Sequence, residues 1–223
     1  MSTTKKVSFS VLLVLFTVIG ASIYYFMSTV NLELKHKNIS ELYLVEKQEY
    51  EKNRDTKKVK KITLSQTEVR LKKAQYVAVY TGSPGYANGT MGINLDSTDK
   101  KLEINPTYSE EKLNSILDSE TTNITSVIKA GVFNIDQYLI QKGKLYDFGE
   151  WYATTLLYNG ADEFNADTLK IVLKKDVNTW KIITNPPQII LSKHLYKEVP
   201  DHILDDINNN QKPKIQFKYT GEE

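Results

Sequence analysis

Residues Leu169–Leu191 read LKIVLKKDVNTWKIITNPPQIIL, and the fold turns on this stretch. In TLKIVLK, Leu169, Ile171 and Leu173 face one way while Lys170 and Lys174 face the other. That two-residue period belongs to a half-buried antiparallel strand. Asp176 to Asn178 marks a turn, TWKI starts a second alternating run, and Pro186-Pro187 follows it. Working outward, VFNIDQYLIQ, KLYDF and EWYATTLLY keep the same period, with turns at Lys142-Gly143 and after Asn159-Gly160. From Ile124 onward the chain predicts an antiparallel meander.

Helical signals come first. Ser65 and Glu68 form an S-x-x-E capping box, with Leu64 and Val69 at the staple positions. Gly82 sits where a helix ends and Pro84 prevents continuation, which predicts a helix between them and Leu64. MGINL and KLEIN, on either side of Asp96 to Asp99, predict a short hairpin. After Pro106, Thr107 and Glu110 make a second capping box, and Leu113, Ile116 and Leu117 line one face. Helices on one face of a curved antiparallel sheet make the expected class α+β, in a domain over 64–195. A C-terminal helix and tail, 196–223, follows, with Pro200 opening the helix PDHILDDI.

Helices first, then a curved meander ending in a charged strand, a polar turn and TWKI, resembles the nuclear transport factor two-like (cystatin-like) fold. The likeness rests on Leu169 to Leu173, Asp176 to Asn178, Trp180, Lys181, Ile182, Pro186 and Pro187, within Leu64 to Leu191. In that fold the sheet curls into a cone whose mouth can hold an apolar ligand, and some members place catalytic carboxylates there. On that implication Tyr138, Trp151, Tyr152 and Tyr158 are ligand-binding candidates, and Asp136 and Asp147 are the nearby carboxylates. The plainer reading makes Trp151 and Trp180 core, with tyrosine hydroxyls reaching solvent.

Val7 to Val30 carries no charge and, as a helix, exceeds the ~30 Å hydrocarbon core of a bilayer. It reads as a transmembrane anchor over 7–30; Gly20-Ala21-Ser22 leaves a cleaved signal peptide as the alternative. The head, 1–6, carries Lys5 and Lys6 and is expected in the cytoplasm, with the C-terminal domain extracellular: a single-pass cell-membrane protein. The polar run 31–61 has neither Gly nor Pro and reads as a solvated helical stalk, or as a short coiled coil.

Composition removes several functions. Twenty-nine basic residues against 27 acidic ones leave a net charge of +2, and Arg54 and Arg70 are the only arginines. Direct nucleic-acid readout, which favours arginine, is not expected. No cysteine is present, so disulfides and thiol chemistry are excluded. His36, His194 and His202 make no nucleophile–base set. His202 with Asp205 and Asp206 lacks a metal-ligand spacing. No enzyme, metal or cofactor is expected. The layout resembles the bitopic scaffold subunit of type IV secretion and conjugation systems of Gram-positive bacteria. That resemblance implies a membrane-anchored assembly role, with the membrane, other envelope or secretion-machine proteins and a homo-oligomer as partners. Ile215, Phe217 and Tyr219 alternate in the tail and are the partner-docking candidates. A membrane-tethered ligand-binding or sensor module is the alternative.

Overall fold

The computed structural model describes residues 14, 17–19, 24, 28–53, 60–96, 100–160 and 168–210. The chain forms two compact units, Met1–Pro106 and Thr107–Glu223.

The N-terminal unit is built from strands. In order they are β1 (Thr29–His36), β2 (Ile39–Glu46), β3 (Lys60–Ile62), β4 (Glu68–Lys72), β5 (Gln75–Gly82), β6 (Gly89–Asn94) and β7 (Lys100–Ile104), with a short helix α1 (Lys47–Asn53) after β2. One sheet runs β4-β1-β7 and the other β3-β2-β5-β6. The chain crosses between the two sheets after β1, β3, β4 and β6. In β1, Val30, Leu32 and Leu34 are buried while Asn31, Glu33 and Lys35 are exposed. Val69 and Leu71 of β4, Leu42 and Leu44 of β2, and Tyr76 and Ala78 of β5 join Leu32 and Leu34 in one shared core. Asn38, at φ 56°, turns the corner between β1 and β2 in the left-handed region that Asn tolerates.

Four expectations are corrected here. Thr29–His36 and Ile39–Glu46 form strands, so among the described residues the only helix within the expected stalk is the short α1; the alternation of Leu32, Leu34, Leu42 and Leu44 outweighs the charges between them. The helix expected from Ser65 is β4 and β5, because Val69 and Leu71 bury at period two. MGINL and KLEIN do not form a hairpin: β6 pairs with β5, and β7 runs parallel to β1. Lastly, among the described residues no helix is long and apolar enough to cross a membrane. Thr29 and Val30 already belong to β1, and most of Val7 to Val30 lies outside the described residues, as does the head. The single-pass anchor and the cell-membrane placement built on it are withdrawn.

The C-terminal unit is α+β. Helix α2 (Glu110–Gly131) is followed by a 3-10 turn (Ile135–Gln137), then β8 (Tyr138–Ile140), β9 (Lys144–Tyr146), β10 (Trp151–Tyr158), β11 (Leu169–Asp176), β12 (Thr179–Ile182) and helix α3 (Asp201–Asn210). The Ser109 side chain caps α2 by accepting from the Lys112 amide at 3.3 Å, so the cap lies two residues beyond Thr107. Leu117, Ile124 and Ile128 are its buried stripe, which carries the helix past Ile124, where a strand was expected.

The sheet order is β12-β11-β10-β8, with β9 also on β10. The meander therefore stands as read from Lys144 onward. Helices do not share one face, however. Tyr152, Leu156, Ile171 and Leu173 pack with α2, whereas Trp151, Ala153 and Val172 pack with Ile203, Leu204 and Ile207 of α3. Covering both faces explains why the first six residues of β10 are all buried. Thr154 among them is satisfied locally: its hydroxyl donates to the Gln141 carbonyl at 2.6 Å.

Candidate functional site

A cleft of about 650 Å³ opens in the C-terminal unit between α2 and β8. Helix α2 contributes Asp118 and the stripe Leu117, Thr121, Thr125 and Lys129, spaced four apart so that all share one face. The other wall is Ile135, Asp136 and the consecutive run Tyr138 to Gly143, and Tyr152 closes the base. Side chains of a strand alternate between faces, so consecutive lining residues mean that β8 shows the cleft its edge.

Backbone pairing agrees with an open edge. The Gln141 amide donates to the Thr155 carbonyl and the Asn159 amide to the Gln137 carbonyl. Residues 137, 139 and 141 thus bond to β10, and Tyr138 and Ile140 point their backbone groups outward. The Tyr138 amide is taken by the Ile135 carbonyl. The Tyr138 carbonyl and both backbone groups of Ile140 have no partner among the described residues.

The cleft mixes apolar surface with charge. Asp118, Asp136, Lys129 and Lys142 are exposed, and none is in an ion pair with a described residue. Tyr152 is buried, its hydroxyl accepts from the Gly143 amide at 3.2 Å, and burial raises its pKa above the ordinary phenol value. A side chain at position 143 would collide with the Ala153 carbonyl and the Tyr152 hydroxyl, so only glycine lets the wall approach the base.

Of the four candidate ligand residues, the structure brings together two. Tyr138 and Tyr152 line the cleft. Trp151 points through the other face toward α3, as its neighbour position on β10 requires. Tyr158 lies outside the lining and meets Tyr138 edge-on at 5.7 Å between ring centroids. Trp151 and Trp180 are core, 5% and 6% exposed. Asp136 lines the cleft, but Asp147 sits on the α3 side, 3.1 Å from His202 Nε2. Asp205 pairs with Lys193, and Asp206 accepts from Tyr146 at 2.7 Å and from Lys144 at 3.3 Å. His202, Asp205 and Asp206 thus face three different partners. Among the described residues no three His, Asp or Glu side chains gather to hold a metal. Ile215, Phe217 and Tyr219 lie outside the described residues.

Glu120 was not anticipated. From α2 it accepts from Lys175 at 2.7 Å and from the Trp180 indole at 2.9 Å, tying the helix to β11 and β12. Lys175, then Trp180, hold its carboxyl below the usual range. The signal available was the helical spacing of Leu117, Ile124 and Ile128 around it.

No protein-family model, curated protein or solved structure matches the chain. The cleft is therefore weighed on its own geometry.

Proposed function

We propose that this protein is a non-enzymatic assembly module whose α2–β8 cleft takes an extended segment of a partner protein. The observation that carries it is the outward-pointing backbone of Ile140 and Tyr138 along the cleft. Strand addition to an open edge gives affinity through main-chain hydrogen bonds and specificity through alternate side chains. A volume of about 650 Å³ falls in the ~300–1,000 Å³ range of binding pockets. The two acids and two lysines on its walls suit a segment with charges of both signs.

The resemblance to the nuclear transport factor two-like fold supports this reading in the C-terminal unit, where one long helix packs on a meander closing with TWKI. With the membrane-anchored layout withdrawn, the TWKI ending alone remains in support of conjugation- or secretion-machine subunits as the partners. A small apolar ligand in the cleft is the second reading, favoured by Tyr138 and Tyr152.

Photo-cross-linking in cells separates the two. A benzophenone amino acid at Asp118 is expected to capture one recurrent protein segment, and the same group at exposed Lys181 is not. Charge reversal by Lys129→Glu with Lys142→Glu should reduce capture several-fold. An adduct of small-molecule mass favours the second reading. Equal capture at both positions removes the cleft from the account.

A further inference from the structure

Among the described residues the N-terminal unit has four sheet-edge strands, β3, β4, β6 and β7. Exposed edges offer unpaired backbone groups, and charged side chains are the usual guard against unwanted pairing. Three edges are guarded: β3 carries Lys60 and Lys61, β4 carries Glu68, Arg70 and Lys72, and β7 carries Lys100, Lys101 and Glu103. The fourth, GTMGIN, has no charge and no proline, and most of it is exposed.

Its geometry is also self-complementary. The Leu95 amide donates to the Ala74 carbonyl, and with the β5–β6 register this places residues 89, 91, 93 and 95 in bonds to β5. Thr90, Gly92 and Asn94 point their backbone groups outward, without a backbone partner among the described residues. A two-fold axis at Gly92 sets Gly92 opposite Gly92 and Thr90 opposite Asn94, so every outward group meets another outward group. The same register sets Met91 opposite Ile93. Both lie on the core side of the sheet, as their partners Ala78 and Tyr76 show, yet Met91 is 40% exposed. At Gly92 itself a Cβ would have nothing within 4 Å.

We infer that β6 pairs antiparallel with β6 of a second copy of this chain, centred on Gly92, joining the two four-stranded sheets into one. A second copy fits better than an unrelated strand because one register satisfies the outward backbone groups, covers Met91 with Ile93 and opposes no like charges. This stands apart from the α2–β8 cleft, and neither depends on the other.

The chain has no cysteine, so one introduced cysteine can bridge only to another molecule. Hydrogen-bonded residues facing each other across antiparallel strands have Cα atoms ~5.5 Å apart, inside the disulfide range of ~4.4–6.8 Å. Gly92→Cys in the full chain should give a covalent dimer on oxidation, and Glu68→Cys on the guarded β4 edge should not. Gly92→Lys, which opposes two lysines at the axis, should leave the circular dichroism spectrum unchanged and halve the mass seen in sedimentation. Equal bridging at positions 68 and 92, bridging of Gly92→Cys to a different protein, a monomeric wild-type chain, or a dimer that survives Gly92→Lys would each overturn the inference.

Discussion

The two units close their cores in different ways. The N-terminal one presses two sheets on a single core, so each strand keeps one wet face and the sheets end in bare edges. The C-terminal one buries its central strand β10 on both faces, under α2 and under α3. Burial on both sides leaves little free strand surface, and the edge that lines a cleft is the short strand β8 beside α2. The difference teaches where recognition can occur: along an edge in the first unit, inside a cleft in the second.

The sharpest way to break the contrast is at Trp180, which joins the α2-side core and meets Tyr152 edge-on at 6.3 Å. Trp180→Ala should cost ~3–5 kcal/mol in urea unfolding. An unchanged midpoint would mean that the α2 face is not a closed core. Leu32, fully buried between the two sheets, is the matching test in the first unit. Leu32→Ala should cost ~2–5 kcal/mol by circular dichroism. Because both tryptophans lie in the C-terminal unit, tryptophan emission reports that unit alone.

These two residues also show what was legible. Trp180, β10, β11 and β12 could be read because the strands pair in chain order, β11 and β12 across a two-residue turn. Leu32 was hidden because β1 pairs with distant β4 and, in parallel, with still more distant β7, and no local turn announces either. Charges at the outward positions of VNLELKH and EVRLK then imitate a solvated stalk or a capping box. At the cleft, Tyr138 and Tyr152 were legible as aromatics on strands. Thr121, Thr125 and Lys129 were not, because weak helix formers around Asn123 masked the continuation of α2. Counting alternation along β10 would have separated Trp151 from Tyr152 at the outset.

A smaller effect is expected at Glu120. Glu120→Ala removes two hydrogen bonds to a partly buried carboxylate and should cost ~1.5–3 kcal/mol. Its folded pKa is depressed by Lys175 and Trp180. The contribution is therefore complete above the unfolded glutamate value of ~4.3 and is lost as pH falls through the folded value. Comparing wild type with Glu120→Gln from pH 7 to pH 2 should show the gap narrowing below pH ~4. A gap independent of pH would contradict the ion pair.

Val177 gives the smallest change, and of opposite sign. This β-branched residue holds φ at 52° in the exposed turn between β11 and β12. Val177→Gly relieves that strain and should raise stability by about 1 kcal/mol in urea unfolding. A loss of stability would show that the turn does not hold the left-handed conformation.

The open edge of β8 is tested most directly by backbone amide exchange, read residue by residue by nuclear magnetic resonance on the free protein. Leu139 and Gln141 bond to β10, and Ile140 between them points into the cleft. The expected result is slow exchange at Leu139 and Gln141 with fast exchange at Ile140, which then becomes protected when the segment captured at Asp118 is added. Slow exchange at Ile140 in the free protein would mean that the edge is already paired, and the cleft would have no strand to offer.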